Sequence, residues 1–182
     1  LGASCLELNG SDEYAITSGF ADDRNTANNG DYTIEFWFKK TTSLSANAYI
    51  FDLIESGVNA NRSFARIKSS NGAINDDKWH HAAFVFYGTA GAFSGTYAKG
   101  AKAIYLDGKL DAFVEGGHGG ASWCQFNQGT TMTFTLGRDE SDDNEYFAGC
   151  LDEVRMWSDV RTEAEIRTNM FTEVGAGSAN LR

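Results

Sequence analysis

Tyr32, Ile34, Phe36 and Phe38 alternate with Thr33, Glu35, Trp37 and Lys39, the period-two signature of a strand with one buried face. Shorter versions of this pattern recur along the chain. Leu6 and Leu8 alternate with polar neighbours, and Tyr14 and Ile16 resume the alternation after the turn Asn9-Gly10-Ser11-Asp12. Residues 49–54 and 63–67 read as two further strands, joined by a turn-rich connector over 55–61. Trp79 to Tyr87 is a long apolar strand, and Thr131 to Leu136 is another. Residues 103–106 and 109–114 flank Asp107-Gly108, a pair suited to the positive φ of a two-residue hairpin turn. Polar or Gly-rich stretches over 17–31, 88–100 and 115–129 read as loops.

The last strand changes phase. Leu151, Val154 and Met156 cannot share one side of a regular strand, because side chains alternate. One extra residue near Asp152-Glu153 restores a common face, so a β-bulge is expected there, aiming an acidic side chain away from the core. After Trp157 the period changes. Residues 158–170, with Ile166 and Met170 on one side, predict one short amphipathic helix, and the small, polar residues from 174 onward predict a frayed tail.

Short strands at regular spacing with Gly-rich turns predict an all-β fold, a two-sheet antiparallel sandwich with one short C-terminal helix. One domain spans 1–182, with its core over about 4–172 and a tail over 173–182. Loops gather at the rims of such a sandwich, where binding sites are usually carried.

Composition narrows the function. Hydrophobic residues make up 42% of the 182, enough for a real core, and 20 Gly supply turns where Pro is wholly absent. A net charge of -10 opposes a phosphate backbone, so nucleic acid is excluded as a partner, while oxygen-rich cation sites are favoured. No apolar run is long enough to insert into a membrane. Opening on Leu-Gly-Ala-Ser without a basic signal region reads as a processed chain or an excised domain. Cys5, Cys124 and Cys150 have no zinc or redox spacing, and one disulfide plus one free thiol is compatible with the odd count.

Five blocks carry a family resemblance. The opening Leu6-Glu7-Leu8-Asn9-Gly10-Ser11-Asp12-Glu13-Tyr14, the strand Trp79-His80-His81, the hairpin Ile104-Tyr105-Leu106-Asp107-Gly108-Lys109, the closing Leu151-Asp152-Glu153-Val154-Arg155-Met156-Trp157, and the helix block from Val160 to Met170 occur in order. Together they resemble laminin G-like jelly-roll domains of the concanavalin A-like lectin/glucanase superfamily. The stretch from Leu136 to Trp157 is also similar to pentraxins, whose acidic loop after "LG" binds calcium; the pentraxin His-x-Cys-x-Ser/Thr-Trp pattern is absent. The resemblance implies a jelly roll whose first and last strands are neighbours. It also implies that Cys5 and Cys150, each out of phase with an inward-facing leucine, share the outer surface and form a disulfide, with Cys124–Cys150 as the alternative.

Candidate sites follow. Calcium needs several oxygen ligands at about 2.3–2.6 Å. One patch offers Asp139, Glu140 and Asp142, with Asn59 or Asn61 helping across the rim; the other joins Asn9 and Asp12 to a bulged Asp152. For sugar stacking, Trp123 is the leading residue, with His118, Tyr87, Asn59 and Asn61 as further ligand-binding candidates. Glu140, Asp142 and Glu145 reproduce the Glu-x-Asp-x-x-Glu spacing of the superfamily's glycosidases. The intervening residues are polar, so no buried strand holds the acids about 5–5.5 Å apart as retaining hydrolysis requires. His80 and His81 face opposite sides of one strand and so form no metal-binding pair; the family resemblance implies a structural role for both.

The reading is a non-catalytic, extracellular or cell-surface module for calcium-dependent binding of carbohydrate or a glycosylated surface. A protein-interaction or assembly domain of a larger extracellular protein is the alternative, and a glycoside hydrolase the third.

Overall fold

The computed structural model describes residues 4–21, 31–40, 47–55, 58–68, 74, 76–87, 101–114, 131–139, 145–175, 177–179 and 181. Among the described residues, ten strands and one helix run in the order β1 (Leu6–Asn9), β2 (Ala15–Ala21), β3 (Tyr32–Lys40), β4 (Asn47–Glu55), β5 (Val58–Lys68), β6 (Trp79–Tyr87), β7 (Ala101–Leu106), β8 (Lys109–Val114), β9 (Thr131–Leu136), β10 (Ala148–Trp157) and α1 (Glu163–Asn169). They form a two-sheet antiparallel jelly roll. One sheet has the order β1-β10-β3-β6-β7-β8 and the other β2-β9-β4-β5.

The period-two pattern explains the core. Ile34, Phe36 and Phe38 of β3 meet Phe51 and Leu53 of β4, with Phe86 of β6, Met132 of β9 and Leu151 of β10, between the two sheets. Phe36 sits edge-on to Phe51 at 6.1 Å and stacks on Phe84 at 5.9 Å, ring geometries that add to simple burial.

The first and last strands pair as expected, Leu6 opposite Leu151 and Asn9 opposite Ala148. The expected bulge is present. Register shifts between Asp152 and Arg155, Glu153 takes φ 51°, and Leu151, Val154 and Met156 all reach the core. The hairpin at Asp107-Gly108 takes φ of 50° and 73°, both positive as its two-residue turn demands.

Three readings need correction. Residues 17–21, read as loop, continue β2 and pair with β9; β2 is an edge strand, where polar and exposed side chains are tolerated. The turn-rich connector read over 55–61 is shorter, because Val58 to Asn61 belong to β5 around a register shift that opposes Ile54 to Arg62 and Glu55 to Val58. The tail is not frayed throughout: Leu181 bridges to Trp157, and Arg161 Nη2 donates to the Ala179 carbonyl at 3.4 Å.

Candidate functional site

The bulge decides what lies on the outer face of the six-stranded sheet. By reversing the phase of β10 it sends Val154 and Met156 inward and turns Arg155 and Trp157 outward, where they meet Glu35 of β3 and His81 of β6. Trp157 Nε1 donates to Glu35 Oε1 at 3.0 Å. Arg155 Nη1 lies 3.5 Å from the same oxygen and donates to the Asn169 carbonyl at 2.9 Å; Nη2 donates to Glu153 Oε2 at 2.8 Å and to the Thr172 carbonyl at 2.9 Å. Trp37 Nε1 donates to the Met170 carbonyl at 2.8 Å. These donors satisfy carbonyls at the end of α1, which an isolated helix leaves unpaired, and so fasten α1 onto the sheet.

Burial sets the charge state here. It pushes the Glu35 carboxyl up, against the Trp157 hydrogen bond and the Arg155 charge. It pulls the His81 imidazole down to about 4, helped by the Arg155 charge. The 3.7 Å approach of His81 Nε2 to Glu35 Oε2 is therefore not an ion pair at neutral pH, since His81 is uncharged. The group is sealed under α1 and serves structure.

Beside α1 the same face opens. A recess of about 310 Å³ is lined by Tyr87, Tyr105, Leu110, Val160, Arg161, Thr162 and Glu163. Tyr87 shares a face with Val85 and Tyr105 with Ala103, each two residues along its strand, so β6 and β7 place both tyrosines on one side. The two hydroxyls are hydrogen-bonded, and burial pushes that of Tyr105 up despite this bond. Leu110 comes from β8, which pairs it with Tyr105. The far wall is the segment leading into α1. Thr162 caps the helix: its hydroxyl accepts from the Glu165 N–H at 3.3 Å, while the Thr162 N–H donates to Glu165 Oε2 at 2.8 Å. This fixes the start of α1, the segment that forms the wall. Apolar lining beside tyrosine hydroxyls suits a ligand with both an apolar face and hydroxyl groups.

Of the sugar-binding candidates, Tyr87 belongs to this recess, as a buried wall residue and not an exposed platform. Trp123 and His118 lie outside the described residues. Asn59 and Asn61 lie in β5 at the β4–β5 connection. The Asp139 loop leaves β9 at the other end of the sandwich, beside Ile50 and Tyr49. Five positions of β4 separate the two, on the order of 17 Å, so Asn59 and Asn61 do not join Asp139.

The second calcium patch also fails to assemble. Asn9 pairs with Ala148, four positions from Asp152, roughly 13 Å along the strand. Asn9 Oδ1 already accepts from the N–H groups of Ser11, Asp12 and Glu13, and Asn9 Nδ2 donates to Asp12 Oδ1 at 2.8 Å. Asp152 Oδ1 accepts from the Glu153 N–H at 2.9 Å. These oxygens shape a turn and a bulge. In the first patch Asp139 is buried, while Glu140 and Asp142 lie outside the described residues. Among the described residues no group of three or more His, Cys, Asp or Glu is placed to hold a metal ion.

Cys5 and Cys150 are free thiols, which departs from the expected bond. Extending the register puts Cys5 opposite Asp152, one diagonal step from Cys150 on the same side. Burial pushes the Cys150 thiol up to about 11, and a hydrogen bond with Cys5 adds to the shift, so the two thiols are in contact. Cys124 lies outside the described residues.

The recess residues beyond Tyr87 escaped the sequence reading. The helix read over 158–170 carries no signal that the segment leading into it stands against β7 and β8, and its cap at Thr162 was not read from the sequence.

A family model described as "Concanavalin A-like lectin/glucanases superfamily" matches residues 9–167. No curated protein matches the chain. Among solved structures, the chain is similar to a Bacteroides ovatus ATCC 8483 protein described only provisionally as carbohydrate-binding, at 22% identity and TM-score 0.61, covering 95% of this chain and 48% of that one. The chain therefore spans about half the length of that relative. It is similar to the Ruminococcus gnavus IT-sialidase CBM40 bound to α2,3-sialyllactose, at 13% identity and TM-score 0.59, covering 90% and 95% of the two chains. It is also similar to a native heptameric SAP-like pentraxin from Limulus polyphemus, at 14% identity and TM-score 0.52, covering 84% and 80%. At these identities the likeness is one of fold.

Proposed function

This chain belongs to the concanavalin A-like lectin/glucanases superfamily, and from that premise we propose that it is a non-catalytic, extracellular module that binds carbohydrate in the recess beside α1. The observation that carries the reading is the recess itself, with its two tyrosines, Leu110 and Val160. Its volume is at the low end of the ~300–1,000 Å³ usual for ligand sites, room for one sugar residue of a larger glycan. The carbohydrate-binding description of the B. ovatus protein and the sialyllactose held by the R. gnavus module support the same class of ligand.

The non-catalytic half of the proposal is supported by Glu35. Burial pushes this carboxyl up, as a general acid requires, yet it is sealed under Trp157 and α1 and out of a substrate's reach. Calcium belongs to the same proposal and is assigned to the loop that begins at Asp139, the patch that retains a buried carboxylate; its role is to hold that loop. In an oxidising extracellular setting, Cys5 and Cys150 close into a disulfide.

A glycan array probed with and without chelator tests the reading. The expected result is a glycan signal that Leu110→Asp reduces at least tenfold while leaving the fold intact, because Leu110 is exposed on an edge strand. Chelator is expected to lower the melting temperature by several degrees. No glycan bound in either condition favours the assembly role. One observation speaks for that second reading: Leu6, Tyr14 and Ile16, on or beside the edge strands β1 and β2, are exposed hydrophobics.

A further inference from the structure

We infer that the recess prefers a sugar residue carrying a methyl group, a methyl-terminated deoxy sugar or an N-acetyl sugar, over its fully hydroxylated counterpart. This rests on the carbohydrate reading above and adds the chemical class of the residue held.

Apolar groups dominate the lining. Leu110 faces the recess from β8, Val160 from the segment before α1, and the buried rings of Tyr87 and Tyr105 from β6 and β7. Val160 packs against the cluster that holds both tyrosines and Ile166, so that wall is firm. Leu110 is 42% exposed on an edge strand, an apolar side chain left in contact with water. A methyl group laid on Leu110 takes apolar surface out of water on both partners. Each buried carbon of this kind strengthens binding about fourfold.

Hydroxyl partners are few. The Tyr87 and Tyr105 hydroxyls bond each other. The Thr162 hydroxyl donates to Glu165 Oε2 at 2.7 Å and accepts from the Glu165 N–H at 3.3 Å. Arg161 Nε has no hydrogen-bond partner, but it is buried, 3.4 Å from Asp159 Oδ1, and the guanidinium lies 3.8 Å over the Trp157 ring. A hydroxymethyl group set against Leu110 in place of a methyl therefore gives up water without a matched partner, which costs binding. Glu163 stands half-exposed on the α1 side of the recess. Its carboxylate accepts hydroxyl hydrogens, which sets the sugar with ring hydroxyls towards Glu163 and the methyl towards Leu110.

Titration of the full chain, followed by protein NMR shifts, compares two pairs of sugars. L-Fucose and L-galactose differ by one hydroxyl on the terminal carbon; N-acetylglucosamine and glucose differ by the acetamide. In at least one pair the methyl-bearing sugar is expected to bind about fourfold or more tightly than its counterpart. The pair that shows the gap tells a deoxy ligand from an N-acetyl one. Leu110→Asn, a change at an exposed position, is expected to bring that ratio close to one. Equal or weaker binding of the methyl-bearing sugar in both pairs overturns the methyl preference; the recess reading stands where that binding is lost in Leu110→Asp and falls where it is kept. A preference that Leu110→Asn leaves unchanged overturns the recess as its origin. Silence of all four sugars overturns this inference, and the carbohydrate reading falls with it only when the glycan array is silent too.

Discussion

Adjacent histidines on β6 experience opposite fates because successive side chains of a strand face opposite sides. His81 is buried against Trp37 and Glu35, and its imidazole sits at about 4. His80 lies against Phe38 and is held between two acids, Nδ1 against Asp107 Oδ2 at 2.9 Å and Nε2 against Asp76 Oδ1 at 3.1 Å. Burial alone pulls His80 down, but the two acids outweigh it and the net direction is up. The two residues therefore give opposite pH dependences. A folded-state value below the unfolded one means that His81 favours folding above about 6.5 and loses that contribution as pH falls towards 4, on the order of 3 kcal/mol in all. A raised value means that His80 contributes fully below about 6.5 and loses its contribution as pH climbs through the folded value. Urea unfolding across pH 4 to 9 is expected to show maximal stability near neutrality. His81→Gln is expected to flatten the acid limb, and His80→Ala the alkaline one. The family resemblance implied a structural role for both histidines; their charge states were not legible, since Glu35 and Asp107 reach them from other parts of the fold.

At the scale of elements, the bulge in β10 and the latch on α1 are one device. Without the extra residue at Glu153, Arg155 and Trp157 would point into the core, and α1 would lose the donors that hold its end. Before the bulge, β10 passes close to β3. Gly149 takes φ 150°, and a side chain there would collide with the Lys39 carbonyl oxygen of β3. Gly149→Ala is expected to cost about 1–3 kcal/mol in backbone strain alone, seen as a lower midpoint in denaturant. At the other end of α1, Thr162→Ala removes the cap and is expected to cost about 1 kcal/mol. Because Thr162 also lines the recess, the same variant is expected to weaken glycan binding by loosening the wall. The bulge was readable from the phase of Leu151, Val154 and Met156, whereas the length of β2 and the start of β5 were not. Edge and bulged strands carry the polar residues that loops also favour, so local composition does not separate them.

For the whole molecule, the pairing of β1 with β10 closes the chain on itself, and Cys5 beside Cys150 stands ready to make that closure covalent. A disulfide there would ring almost the entire domain, and loops of that length contribute about 5 kcal/mol in the chain-entropy model. Air-oxidised protein is expected to lose two mass units and, on peptide mapping, to show Cys5 joined to Cys150. Reductant is then expected to lower its melting temperature, and Cys5→Ser to abolish that difference. A bond to Cys124 instead would show that the diagonal placement is too strained to bridge.

The sequence by itself determined the sandwich, its hairpin and its bulge, which follow from alternation and turn chemistry written residue by residue, while the partnership of its first and last strands came as what the family resemblance implies. Only the tertiary structure decided where chemistry gathers. It spent Asn9 and Asp12 on a turn and separated Asn59 and Asn61 from Asp139 along β4. It then built a recess from Tyr87, Tyr105, Leu110 and Arg161, residues that no local pattern connects. Which side chains meet across a β fold depends on register between distant strands, and register is settled by packing the whole core at once.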